Sequence, residues 1–231
     1  MKDMQNTRMS VSRRKFLGNL GAAFVASAGT SVASVTYTSH FDSLQITQYD
    51  LSTDKVPEGF DHVEAHITDI HAGTPSVSKK KLAQIVTQVN SLTYQKKDGQ
   101  RLPVDLIGIG GDILINKHYD PRTEFFHPEE IAPILGKLEA PLGVYGCLGN
   151  HDWDRMGHVL QIRHDDLTMD IWDIFKDNNI HLHENEIVSL NKDGMEFDLA
   201  ILPDYKTRWN KHFDSTILKD VDKRPTIVLS H

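Results

Sequence analysis

The sequence contains a single cysteine, Cys147, so an internal disulfide is excluded. Cys147 follows an apolar run, which favours a buried structural thiol; a nucleophilic thiol is the alternative and would need a base and a positively charged environment. The chain also lacks an excess of positive charge, since its formal net charge is −7 at pH 7. Neither nonspecific nor specific nucleic-acid binding is therefore expected, and an anionic ligand would have to be attracted by local groups.

Internal repeats and long hydrophobic runs are also lacking. The apolar stretch at residues 17–25 is short and interrupted by Gly and Asn, which argues against a confident membrane span. Charged, apolar and small residues follow one another around this stretch in the order that is typical of an export signal. Residues 12–17, Ser-Arg-Arg-Lys-Phe-Leu, resemble the twin-arginine motif, and the small residues at 26–28 suit a cleavage site. A disordered basic tail and an uncleaved anchor are the alternatives.

This segment predicts both domain organisation and location. We expect residues 1–35 to form a twin-arginine signal region and residues 36–231 to form one folded domain. The signal implies the twin-arginine export machinery as a partner, since that route carries folded proteins. The protein is then expected to be periplasmic, or membrane-associated on the outer face of the cytoplasmic membrane.

Elements after the signal alternate between strand-like and helix-like patterns. Residues 44–49 alternate with period two and predict an edge strand, whereas residues 78–92, the segment from Pro128 and residues 165–175 show helical spacing. Two strand-like runs, 186–190 and 197–202, flank an Asn-Lys-Asp-Gly turn and predict a hairpin. Together these elements predict an α/β fold.

Several apolar runs end in loops that carry Asp, His or Asn. Three of these loops also contain glycine and lie roughly 40 residues apart, which leaves room for a helix and the next strand between them. Since the carboxyl ends of parallel strands meet at one edge of a sheet, we expect these side chains to lie close together. A fourth apolar run, residues 226–230, is followed directly by His231. The residues are Asp69, His71, Asp112, Asn150, His151, Asp152 and His231.

Carboxylate, amide and imidazole groups in one place suggest a metal or proton-transfer site. Their mixture of oxygen and nitrogen donors favours Mn, Fe or Zn over Ca or Mg. Taken alone, Gly149-Asn150-His151-Asp152 is equally consistent with a turn and a helix cap. The recurrence of the pattern at further strand ends favours a site.

The ordered motifs Asp69-Ile70-His71, Gly111-Asp112, Gly149-Asn150-His151-Asp152 and His231 resemble those of the calcineurin-like metallophosphoesterases, in particular an exported, phosphodiesterase-like bacterial branch. The resemblance implies a two-sheet α/β sandwich flanked by helices (αββα). It also implies a metal-dependent phosphoester hydrolase, a phosphodiesterase or phosphatase with a dinuclear centre and a metal-bridging hydroxide. The family's further G-H-x-H motif is absent from this sequence, so the domain is expected to be incomplete at its C-terminal end.

The resemblance also implies roles for individual residues. Asp112 would bridge two divalent ions (Mn, Fe or Zn), with Asp69 and His71 on one ion and Asn150 and His231 on the other. His151 would stabilise or protonate the leaving oxygen, and Asp152 would orient its loop. The substrate would be a phosphoester, either a small molecule or a lipid headgroup.

Two other interpretations stay open at this point. The first is a catalytically impaired, truncated domain that binds metal weakly, because each ion would lose one histidine with the absent motif; the chain as given is then expected to be nearly inactive. The second is a metal-free extracytoplasmic binding module, which the clustered Asp and His residues disfavour. His181 and His183 share a strand face and could bind metal, but no carboxylate motif accompanies them, so a half-exposed face is favoured.

Overall fold

The computed structural model describes residues 23–25, 32–37, 46–51, 56, 60–96, 98–115, 122–152, 171–204, 216–219 and 224–231. Within these residues the strands are β1 Ala23–Val25, β2 Val32–Tyr37, β3 Ile46–Leu51, β4 His62–Ile67, β5 Thr93–Gln95, β6 Arg101–Pro103, β7 Leu106–Gly110, β8 Val144–Cys147, β9 Ile180–Leu182, β10 Glu186–Lys192, β11 Met195–Leu202 and β12 Thr226–Ser230. The helices are α1 Lys79–Asn90, α2 Pro128–Leu135 and α3 Ile171–Lys176.

A six-stranded sheet forms the centre of the domain. Its strand order is β3-β2-β4-β7-β8-β9, and every neighbouring pair is parallel except β3 with β2. Strand β3 lies at the edge, as the alternating pattern of residues 44–49 predicts. The parallel register aligns the carboxyl ends of β4, β7 and β8 at one edge of the sheet, directly before the loops that carry the candidate ligands.

A second, three-stranded sheet packs on the first. Its order is β10-β11-β12, with the predicted antiparallel hairpin of β10 and β11 followed by the parallel strand β12. Strands β11 and β12 lie against β7 and β8. A small sheet, β1-β5-β6, completes the described strands. The predicted α/β fold class is confirmed.

The helices cover the other face of the main sheet. Helix α1 begins after Ser78, whose hydroxyl accepts a hydrogen bond from the Lys81 backbone N–H (3.3 Å), and it buries one apolar face. Helix α2 begins at Pro128, the position where the fixed φ of proline suits a helix start. Among the described residues no helix is long and apolar enough to cross a membrane.

Two hydrophobic clusters follow from this layering. The larger cluster lies between the helices and the main sheet, and the smaller one lies between the two sheets and contains Leu106, Cys147, Leu199 and Leu229. Strand β7 is buried along its whole length because it has a layer on each face. Helices α1, α2 and α3 all contribute apolar residues to the larger cluster, so helices flank the parallel main sheet, as the predicted fold class requires.

The domain boundary predicted after residue 35 stays a prediction. Strand β2 begins at Val32 and pairs with both β3 and β4. Strand β1 also lies in the predicted signal region and pairs with β5. The twin-arginine motif itself lies outside the described residues, and the export function of this segment stays a prediction.

A buried ion pair joins the two sheets at the end opposite to the candidate ligands. The Lys192 ammonium group on β10 lies 2.6 Å from Asp105 Oδ2 and donates to the Tyr94 hydroxyl (3.1 Å) and to the Asp61 carbonyl. Asp105 also accepts hydrogen bonds from the Val63 N–H (2.8 Å) and the Tyr94 hydroxyl (3.2 Å). Each carboxylate oxygen therefore has a donor, as buried charges require.

Candidate metal centre

The loops after β4 and β7 are hydrogen-bonded to each other along their length. The backbone N–H of Asp69 donates to the Gly111 carbonyl (3.1 Å), and the N–H of His71 donates to the Asp112 carbonyl (2.8 Å). A bridge between Ala72 and Leu114 continues this pairing beyond the strands. The two predicted motifs therefore form one framework instead of two independent loops.

Backbone conformation at the candidate ligands is unusual. Asp69, His71 and Asp112 have φ values of 53°, 46° and 49°, all in the left-handed region. Asp and His tolerate this region better than most residues, but each such position still costs about 1–3 kcal/mol unless the surroundings enforce it. The inter-loop hydrogen bonds enforce it here, which turns the side chains toward a common space.

The loops after β7 and β8 also approach closely. A Cβ on Gly149 would overlap the Asp112 carboxylate and backbone nitrogen, so only glycine leaves room for this approach. Gly111 has a φ of 82° and faces the Gly149 backbone. The glycines of the two predicted motifs are thus required by the distance between the loops.

Asp112 lies at the centre of the cluster. Its side chain is only 5% exposed, and its Oδ1 accepts a hydrogen bond from the His151 backbone N–H (2.8 Å). Burial alone would raise the pKa of Asp112, but hydrogen bonds from His231 and from the His151 backbone, together with nearby imidazoles, hold that pKa below its usual value. Asp112 is therefore a carboxylate at neutral pH and can serve as a ligand.

Two groups of candidate ligands share Asp112. One contains His71, Asp112 and His151, and the other contains Asp69, Asp112 and His231; within each group the ligand atoms lie within 4.8 Å of one another. His71 Nε2 is 3.7 Å from Asp112 Oδ2 and 3.8 Å from Asp69 Oδ1, so it borders both groups. The expected proximity of Asp69 and Asp112 is met.

His231 approaches from the second sheet, at the end of β12. Its Nδ1–H donates to the Gly110 carbonyl (2.7 Å), which leaves Nε2 directed toward Asp112 Oδ2 (3.5 Å) and Asn150 Oδ1 (3.4 Å). The neighbouring Asp112 raises the pKa of His231 to about 9, against the effect of burial. A metal ion at Nε2 would have to displace this proton, so binding at His231 is linked to pH.

The Asp152 side chain connects the loops after β7 and β8 through hydrogen bonds. Its buried carboxylate accepts hydrogen bonds from the backbone N–H groups of Gly149 (2.9 Å), Ile113 (3.1 Å) and Leu114 (2.8 Å). Burial raises the pKa of Asp152 to about 7, while these three donors favour the ionised form. The orienting role expected for Asp152 stays a prediction.

His151 occupies a place that allows more than one role. Its ring lies edge-on to that of His71, with 4.7 Å between ring centres, and its ring nitrogen belongs to one of the two ligand groups. The family resemblance gives His151 to the leaving oxygen, whereas the ligand grouping also allows metal contact. Residues 150–152 are helical, which is compatible with either interpretation of this motif.

Some contributors to the site carry no motif signal. The Thr68 hydroxyl contacts both Asp69 and the Gly110 carbonyl, and that carbonyl also accepts from His231. A carbonyl group has no side-chain identity to detect in a sequence. The position of Thr68 immediately before Asp69 is the one signal that was available.

Other candidate residues lie away from the cluster. Cys147 is fully buried between the sheets, and burial raises its pKa to about 12, which fits the expected structural thiol. His181 is exposed. His183 pairs with the carboxylate of Glu186 (2.6 Å), which belongs to no sequence motif.

The donor set fits divalent cations. Two carboxylates with ligand atoms within 4.8 Å of each other repel, and a cation between them would remove that repulsion. The imidazole and amide groups complete a set that suits borderline metals. Fold and site thus define an α/β domain with a cluster of candidate metal ligands at the carboxyl edge of its main sheet.

Comparisons with known proteins agree with this class. The family model for calcineurin-like phosphoesterases matches residues 65–231. The chain is also 25% identical over 230 residues to the uncharacterized metallophosphoesterase YkuE of Bacillus subtilis (strain 168), an alignment that covers 96% of this chain and 69% of that protein. No solved structure matches the chain significantly.

The family match spans most of the chain, so the protein belongs to the calcineurin-like phosphoesterase family. It is accordingly a phosphoester-hydrolysing enzyme, of a family that generally binds divalent metals. The individual roles of the clustered residues stay predictions.

Proposed function

We propose that the protein hydrolyses phosphodiesters or phosphomonoesters with a dinuclear metal centre at this cluster. The observation that carries the proposal is the position of Asp112, a buried carboxylate common to two groups of candidate ligands. A carboxylate shared by two ion positions is the arrangement that a two-metal site needs.

The residues would hold the ions as follows. Asp112 would bridge them, Asp69 and His71 would bind one ion, and His231 with Asn150 would bind the other. Two bound divalent ions would neutralise the phosphoryl oxygens and lower the pKa of an attacking water. The identity of the ions among Mn, Fe and Zn is part of the proposal.

The protein groups supply orientation and a proton. The His151 ring, which contacts that of His71, would donate a proton to the leaving oxygen, while its backbone N–H donates to Asp112 Oδ1 (2.8 Å). The three N–H groups bound to Asp152 keep the loops after β7 and β8 in register. The substrate class is a small phosphoester or a lipid headgroup exposed outside the cytoplasm, because the leader resembles a twin-arginine signal.

The test compares Asp112→Ala, His151→Ala and Asp173→Ala, the last replacing an exposed Asp on α3 as a matched control. Manganese content after loading and desalting is measured beside turnover of bis-p-nitrophenyl phosphate and p-nitrophenyl phosphate. Asp112→Ala should lose both metal and turnover. His151→Ala should keep most of its metal but lose about 10²- to 10⁴-fold in turnover, the usual contribution of a general acid.

Two results would overturn the proposal. One is a wild-type protein that takes up no metal under these conditions. The other is an Asp112→Ala variant whose metal content equals that of the wild type and of Asp173→Ala, because a bridging carboxylate cannot be removed without loss of binding.

A further inference from the structure

The hydroxyl group of Thr68, the residue directly after β4, contacts the candidate ligand Asp69. Its Oγ1 lies 2.7 Å from Asp69 Oδ2 and 3.0 Å from the Gly110 carbonyl oxygen. A hydroxyl carries one proton, so it donates to one acceptor at a time, and the shorter distance favours the carboxylate. A bond to an ionised acceptor is also about twice as strong as a neutral one.

Asp69 needs such support more than Asp112 does. The Asp69 side chain is 54% exposed, whereas that of Asp112 is 5% exposed and is held by a backbone N–H. An exposed carboxylate samples several rotamers, and each one that does not face the cluster weakens binding there. Thr68 is β-branched and therefore stiff at χ1, which makes it a suitable group to restrict its neighbour.

The Gly110 carbonyl links this support to a second candidate ligand. It lies within hydrogen-bond distance of the Thr68 hydroxyl and accepts the Nδ1–H of His231 at 2.7 Å. The end of β7 thus provides one acceptor beside both Thr68 and His231. Thr68 directly follows the last residue of β4.

We propose that Thr68 is a positioning residue: it holds the Asp69 carboxylate toward the cluster and so controls affinity at the more exposed of the two metal positions. This inference rests on the proposed function, because it requires Asp69 to bind a metal. Hydrogen-bond partners of metal ligands typically contribute about 10- to 100-fold in metal affinity.

The experiment is a Mn²⁺ titration of the full chain, with free Mn²⁺ followed by electron paramagnetic resonance. Thr68→Val keeps the shape of the side chain but removes the hydroxyl, and Thr68→Ser restores the hydroxyl. Thr87→Val is the matched control, because the Thr87 hydroxyl on α1 donates only to its own helix, at Ala83 O (2.9 Å). Thermal unfolding of each variant shows that the fold is kept.

We expect Thr68→Val to weaken one of two Mn²⁺ equivalents about 10- to 100-fold and to leave the other near its wild-type affinity. Thr68→Ser should recover most of the loss, and Thr87→Val should match the wild type. If Thr68→Val does not fold, Thr68→Ala is compared with Thr68→Ser, and only the former should show the loss.

The outcomes separate this inference from the proposed function. Wild-type binding of two ions with unchanged affinity in the Val or Ala variant would overturn the role of Thr68 alone. Equal weakening of both ions would also contradict it, since Thr68 contacts Asp69, which the proposed function assigns to one ion only. Absence of Mn²⁺ binding in the wild type, or an Asp69→Ala variant with wild-type affinity, would instead overturn the assignment of Asp69.

Discussion

Replacement of Lys192 by Met is expected to destabilise the fold strongly, although the residue lies far from the metal cluster. The Lys192 ammonium and Asp105 carboxylate are 2.6 Å apart, and their side chains are 9% and 7% exposed. Met fills a similar volume, so the main effect is an uncompensated carboxylate between the two sheets. Breaking a buried pair in this way costs about 3–5 kcal/mol.

The structure places Lys192→Met at the lower end of that range. Asp105 keeps its hydrogen bonds from the Val63 N–H and the Tyr94 hydroxyl, which continue to satisfy both carboxylate oxygens. We therefore expect a loss of about 3 kcal/mol in the free energy of unfolding. With a urea m-value of about 2–3 kcal/mol/M, the midpoint should fall by about 1–1.5 M.

The assay is urea unfolding at pH 7 followed by tryptophan fluorescence. Lys96→Met is the matched control, because Lys96 faces Asp193 at 4.0 Å in a more exposed pair and should lose less than about 1 kcal/mol. The double variant Lys192→Met/Asp105→Asn removes the buried charge and should recover much of the stability. A Lys192→Met variant no less stable than Lys96→Met, or a double variant no better than the single one, would refute the reasoning.

Two further predictions concern pH and export. Burial, with a smaller effect of Lys192 and against that of Glu64, lowers the pKa of His62 to about 4 from 6.5, so His62 is neutral in the folded protein. The unfolded chain binds this proton below pH 6.5, and stability should therefore fall by up to about 3 kcal/mol as the pH drops from 6.5 to 4. The wild type should therefore lose up to about 3 kcal/mol relative to His62→Phe as the pH falls across this range, and stability curves that stay parallel would contradict the prediction. For export, the double variant Arg13→Lys/Arg14→Lys should stay in the cytoplasm, while the control variant Lys2→Arg should be exported. The measurement is cell fractionation. Equal periplasmic amounts of both variants would argue against a twin-arginine signal.

Elements whose cause is local were predictable from the sequence. Ser78 and the apolar spacing after it determine where α1 starts and which face it buries, because caps and helical neighbours lie within four residues. The Asp193-Gly194 turn determines the hairpin of β10 and β11 in the same way, since its two residues adopt positive φ. The order of strands and acidic loops likewise indicated an α/β fold with a site at one sheet edge.

Other features depend on residues far apart in the chain, and only the tertiary structure decided them. The left-handed backbone of Asp69 and Asp112 exists because their loops are hydrogen-bonded to each other, and Gly149 is needed because another loop closes on Asp112. The conformational preference of a residue depends on its sequence neighbours and cannot indicate contacts between distant loops.

The same reason applies to Thr68 and to the start of the fold. The register of β4 and β7, not the local sequence, brings the Gly110 carbonyl beside the Thr68 hydroxyl. Strand β2 joins the main sheet through pairing with β3 and β4, within a stretch whose composition indicated a signal. Sequence determined which chemical groups the strand ends carry; the register between distant strands decided which of those groups meet, because hydrogen-bonded pairing, not residue type, sets their separation.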